Sequence, residues 1–142
     1  MIVVDTNVLA YLWLPGSHTA RAEQLWRADP DWHAPILWRS ELRNVLTAYL
    51  RRELMSREQI VGILDAANQA LAGSEHIIAD ELVLDIVAGS TLTAYDAEFV
   101  ALASALSVPL VTADKAVLKA FPDRALTMQA FVSQRLSGSS NG

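Results

Sequence analysis

The chain contains no cysteine, which excludes disulfides, thiolate nucleophiles and zinc-thiolate centres and leaves the redox compartment open. Charge is sparse too. Only 19% of the 142 residues are charged, against 52% apolar, a composition that lets one domain bury about two-thirds of its unfolded surface. The three histidines, His18, His33 and His76, are scattered along the chain, so neither a histidine-rich metal cluster nor a paired-histidine ribonuclease is expected. No apolar run approaches the roughly 20 residues that cross a bilayer. The opening Ile2-Val3-Val4 is too short for a signal-peptide core. These absences point to a soluble, cytoplasmic protein with no membrane partner.

What is present is a regular alternation of short apolar strands and amphipathic helices, the pattern of an α/β fold with an open, mostly parallel sheet and helices on both faces. Strand one covers residues 1–5, followed by a helix from Asn7 that Pro15-Gly16 stops. A second helix runs from about Ser17 to Ala28. Trp32-His33-Ala34 is extended, because Pro35 keeps Ala34 out of helical geometry.

Residues 36–51 carry the helical stripe Trp38, Leu42, Val45, Tyr49. The next helix starts at Ser56, which has capping-box spacing to Gln59. A short strand is expected over His76–Ile78, then helices from Asp80 and over Thr93–Leu106. Pro109–Thr112 reads as a strand, Lys115–Phe121 as a short helix and Ala125–Thr127 as a last strand before a C-terminal helix. Residues 1–136 form the single expected domain. The Ser/Gly-rich residues 137–142 have the composition of a flexible tail.

Four acids stand in telling places. Asp5 falls at the carboxyl end of strand one and Asp114 just beyond the strand containing Leu110-Val111, the sheet edge where open α/β folds bind ligands. Each also immediately precedes a helix, so plain N-capping is an alternative. Glu41 lies between Trp38 and Val45 on the shoulder of an apolar stripe, where a solvated glutamate does not belong. Asp96 points with Phe99, Val100 and Ala103, although Thr93-x-x-Asp96 also has nearly capping-box form.

Inward carboxylates must be neutralised by protons, bases or a cation. Arg39 and Arg43 sit at two-residue offsets from Glu41 and project away from its side of the helix, so a hard divalent ion is the simplest neutraliser. All-oxygen ligation favours Mg2+, with Mn2+ as a substitute. The net charge of -5 then says little about a nucleic-acid partner, because setting these four of the 16 acids aside leaves the chain near neutral.

At these residues the chain resembles the PIN-domain family, in particular the VapC-like ribonuclease toxins of toxin-antitoxin pairs. The matching stretches are "VVDTNVLAYL", "APILWRSELRNVL" and "LTAYDAEFVALASALSVPLVTADKAVLKAF". They occur in the family's order and cover residues 1 to about 130.

The resemblance implies a Rossmann-like three-layer α/β/α sandwich and a magnesium-dependent endoribonuclease. Its site would comprise Asp5, Glu41, Asp96 and Asp114, with Asp5 and Asp96 as the firmest metal ligands. Thr112 matches a hydroxyl that assists the acids, and Asn7 a residue that helps hold the first loop. RNA is the implied substrate, a cognate antitoxin the implied partner and a homodimer the implied assembly. All four tryptophans fall in the first 38 residues, and helices one and two are the expected wall of the antitoxin groove. Arg39, Arg43, Arg51, Arg52, Lys115 and Lys119 are candidates for steering RNA.

Other classes fit less well. A phosphohydrolase with a nucleophilic aspartate wants a second acid where Asn7 stands, and a receiver-like switch wants adjacent acids near strand one. A non-catalytic binding module of the same fold is disfavoured by the intact acids. Residues 52–90 carry no assignable function.

Overall fold

The computed structural model describes residues 1–139. Its sheet is built from β1 (Ile2–Val4), β2 (Trp32–Pro35), β3 (Glu75–His76), β4 (Leu110–Val111) and β5 (Ala125–Leu126), all parallel, in the order β3-β2-β1-β4-β5. Crossovers are made by α1 (Thr6–Trp13), α2 (Thr19–Ala28), α3 (Trp38–Arg51), α4 (Arg57–Ala70), α5 (Asp80–Ala88), α6 (Ala94–Leu106) and α7 (Lys115–Ala120), with α8 (Met128–Ser139) closing the described chain. Among the described residues no helix is long and apolar enough to cross a membrane.

A strand covered on both faces must be apolar at every position. Ile2, Val3 and Val4 are all buried, so β1 takes the centre of the sheet. Its neighbours are set in register by Val3, which pairs with His33 on one side and Leu110 on the other. Successive residues face opposite ways. Trp32 meets Trp26 of α2 edge to face at 5.0 Å, while α6 packs on β1, β2 and β4. The result is an α/β fold with helices on both faces of the sheet.

From β1 the chain winds outward to β2 and β3, then crosses back to build β4 and β5 on the other side. The β1–β4 boundary is therefore a topological switch point, where the connections leaving two adjacent strands diverge and open a crevice at their carboxyl ends. Asp5 follows β1 at this edge. Asp114 follows β4.

The expected elements are all present, with shifted ends. The third strand is Glu75–His76 rather than His76–Ile78, and Ile77 beyond it is 87% exposed. Its position is set by ladder pairing, Ala34 with Glu75 and Pro35 with His76. Ser56 and Gln59 form both halves of the capping box.

Residues 137–139, expected in the tail, are instead the last residues of α8. That helix is anchored where Arg135 reaches the buried Asp29 at 2.9 Å, and Ser139 adds a hydroxyl bond to the Arg135 carbonyl one turn back. Residues 140–142 of the expected tail lie outside the described residues.

Trp32 and Trp38 are core residues, whereas Trp13 and Trp26 are partly buried against the core.

Candidate active site

Asp5, Glu41, Asp96 and Asp114 line one cavity of about 350 Å3 at the switch point. They come from the end of β1, the first turn of α3, the first turn of α6 and the residue before α7. Among the described residues no lysine, arginine or histidine lines the same cavity.

Each acid is held by specific bonds. Asp5 Oδ1 accepts from the Val8 amide at 2.8 Å, capping α1, while its Oδ2 accepts from the Thr112 hydroxyl and from the Ala113 amide at 3.2 Å. Asp114 Oδ1 accepts from the Ala116 and Val117 amides, capping α7. Capping and cavity lining therefore coexist in these two residues. An N-cap carboxylate is tied to the last residue before a helix, and at this sheet edge that residue faces the crevice.

Glu41 accepts from the Thr6 hydroxyl at 2.7 Å. At Asp96 the Thr93 hydroxyl caps the backbone amide at 3.1 Å. Thr112 does double duty, accepting from the Asp114 amide at 3.0 Å while donating to Asp5. Asn7 stands exposed on the cavity rim. The bonds that hold the first turn come from Asp5 and Thr6.

At Asp5, Glu41 and Asp96 the electrostatics favour the protonated form. Burial pushes the Asp5 carboxyl above its ordinary range, outweighing its three hydrogen bonds, and Asp114 adds repulsion. Glu41 is raised by burial and by Asp96, Asp5 and Glu98. Asp96 is raised by burial and by Asp114. These shifts mark carboxylates crowded without a compensating cation. Arg39, adjacent in sequence to this region, is taken up by Glu75 in a two-pronged bond at 2.6 and 2.7 Å.

The donor set is all oxygen, as a hard divalent cation requires. Among the described residues no group of three acidic or histidine side chains is arranged to clasp one ion. The carboxylates are turned toward Thr6, Val8, Thr112, Ala116 and Val117 instead.

Sequence reading missed several residues. Thr6 is buried and positions Glu41; its signal was its place between Asp5 and Asn7, with no partner visible from sequence. Glu98 is a fourth carboxyl raised by burial. Ser40, Asn44 and Tyr95 also line the cavity. Away from the site, the histidines are not all isolated: His33 Nδ1 lies 2.9 Å from His76 Nε2, and His33 Nε2 lies 2.8 Å from Asp31. Parallel pairing of β2 with β3 brings the two rings together across 43 residues of sequence.

Comparisons with known proteins agree with this architecture. A family model described as "PIN domain" matches residues 2–122. The chain is 26% identical over 126 residues to a curated protein, Ribonuclease VapC3 of Pyrobaculum aerophilum, covering 85% of this chain and 95% of that one. It is also similar in fold to the crystal structure of PAE2754 from Pyrobaculum aerophilum, with a TM-score of 0.65, 19% identity and 96% of each chain covered.

Proposed function

Since the chain belongs to the PIN-domain family, we propose that its acidic cavity hydrolyses RNA phosphodiester bonds in the presence of Mg2+. The observation that carries this reading is the meeting of four carboxylates from remote segments on one cavity that, among the described residues, no cationic side chain lines. The 26% identity to a protein named a ribonuclease supports RNA as the substrate class.

Asp5 and Asp96 would hold the ion, with Glu41 and Asp114 beside it, and Mn2+ would serve as a substitute. An ion held there supplies positive charge against the phosphate and makes a nearby water a stronger acid. The chain's own residues do the rest. Thr112 and the Ala113 amide fix the orientation of Asp5, and Thr6 fixes that of Glu41. Glu41, oriented by Thr6 beside Asp5 and Asp96, would accept the proton of the attacking water.

The same reading makes the protein the toxin of a toxin-antitoxin pair, acting as a homodimer in the cytoplasm and silenced by a cognate antitoxin. The decisive experiment incubates the protein with cellular RNA, with and without Mg2+, alongside Asp5→Asn, and maps the cut ends. Cleavage that requires the ion and is abolished by the substitution is expected. Full activity in Asp5→Asn would remove Asp5 from the mechanism, and no metal-dependent cleavage of any RNA would favour a binding module. Reading the adjacent open reading frame tests for an antitoxin, and sedimentation tests for the dimer.

A further inference from the structure

Four acids and an ion are enough to engage a phosphate, yet this cavity is larger and less polar than a phosphate requires. Leu37, Val45, Phe99 and Val117 form part of its wall. Tyr95 lines it as well, while leaving 64% of its surface exposed. Tyr95 precedes Asp96 in the first turn of α6, and Thr93 caps that turn. Its backbone is thus fixed by the same helix start that presents the Asp96 carboxylate.

A large aromatic left open to water beside a crowd of carboxylates does not stabilise the fold by burial. It does offer a flat, uncharged surface at the mouth of the site. The acids repel a polyanion that arrives without a cation, and among the described residues no basic side chain lines the cavity to hold the strand by charge. A neutral contact to the nucleobase avoids this conflict, because base-aromatic stacking needs no charge and tolerates any base.

We propose that Tyr95 is the stacking platform for a single-stranded nucleobase next to the scissile phosphate. This inference rests on the nuclease reading of the same cavity. Stacking demands a splayed base, which a duplex does not present. The apolar wall of Leu37, Val45 and Phe99 receives the sugar and the remaining ring edge.

The test compares wild type, Tyr95→Phe and Tyr95→Ala on a single-stranded oligoribonucleotide. Tyr95→Ala is expected to raise KM about tenfold while changing kcat by less than about twofold, and Tyr95→Phe to restore the wild-type KM. In the Asp5→Asn background, an oligonucleotide carrying 2-aminopurine beside the cut site should show quenched fluorescence on binding, and Tyr95→Ala should relieve the quenching.

An unchanged KM with unchanged quenching overturns the proposal, as does a KM that Tyr95→Phe fails to restore. A Tyr95→Ala protein that changes only its sedimentation also overturns it, assigning the ring to a protein interface. If wild type cuts no RNA in Mg2+, the nuclease reading itself fails. If wild type cuts and Tyr95 is silent, only the stacking role falls.

Discussion

The Thr6 hydroxyl donates to Glu41 Oε1 across 2.7 Å, joining the first turn of α1 to the first turn of α3. A hydrogen bond to the charged form of a carboxyl favours ionisation, and here it partly offsets the rise caused by burial. Thr6→Val keeps the volume and removes the donor. Glu41 should then rise further, moving the acid limb of the cleavage pH profile upward, with lost activity at pH 7 recovering at higher pH. Thr6→Ser should behave as wild type. An unmoved limb in Thr6→Val would separate this bond from the chemistry.

The crowded acids have a stability signature of their own. Burial first, and mutual repulsion second, raise Asp5, Glu41 and Asp96. A carboxyl with a raised folded value binds protons on folding, so the native state loses stability as pH climbs from the ordinary carboxylate range through the raised values. Glu41→Gln retains an acceptor for Thr6 and removes one charge. Its Tm at pH 7 without divalent ions should exceed that of wild type by about 3 °C, a gain that vanishes near pH 4. Mg2+ should raise the wild-type Tm at pH 7 and raise the variant's less. Activity should fall at least about 100-fold in the variant. A Glu41→Gln melting point at or below wild type at pH 7 would contradict this account.

Asp114 separates its two duties by substitution. Asp114→Asn keeps an oxygen for the Ala116 and Val117 amides but loses the charge, whereas Asp114→Ala loses both. Loss of the cap costs about 1 kcal/mol, or about 3 °C in Tm. Thermal melts should therefore single out Asp114→Ala, while cleavage assays should find both variants impaired to the same extent. Retained cleavage in Asp114→Asn would reduce this residue to a cap.

The His33–His76 contact predicts a second pH dependence, remote from catalysis. Burial first, and the neighbouring His33 second, lower His76 below its ordinary value of 6.5. A base lowered on folding is protonated more in the unfolded chain, so stability falls as pH drops below 6.5 and levels off once the folded value is passed. His76→Gln, which keeps an N–H for His33 Nδ1, should flatten the Tm profile between pH 7 and 5. A profile as steep as wild type would place the acid sensitivity in other groups.

How much of this was legible in the sequence depends on the range of the interaction concerned. The buried run Ile2-Val3-Val4, the Ser56/Gln59 box and the apolar stripe beginning at Trp38 each act within a few residues. The local chemistry of the chain therefore determined element types, the parallel α/β class and the odd placement of Glu41 and Asp96. Element ends were less accessible: ladder pairing put β3 at Glu75–His76, and the Asp29–Arg135 bond supports α8 in running on to Ser139.

Only the tertiary structure decided which distant groups meet. The strand order β3-β2-β1-β4-β5 places Asp5 beside Thr112 and His33 beside His76, and brings Tyr95 to the rim of the acidic cavity. Such meetings follow from which strands pair and how helices pack over them. That is a property of the whole chain closing its core, to which no short stretch commits by itself.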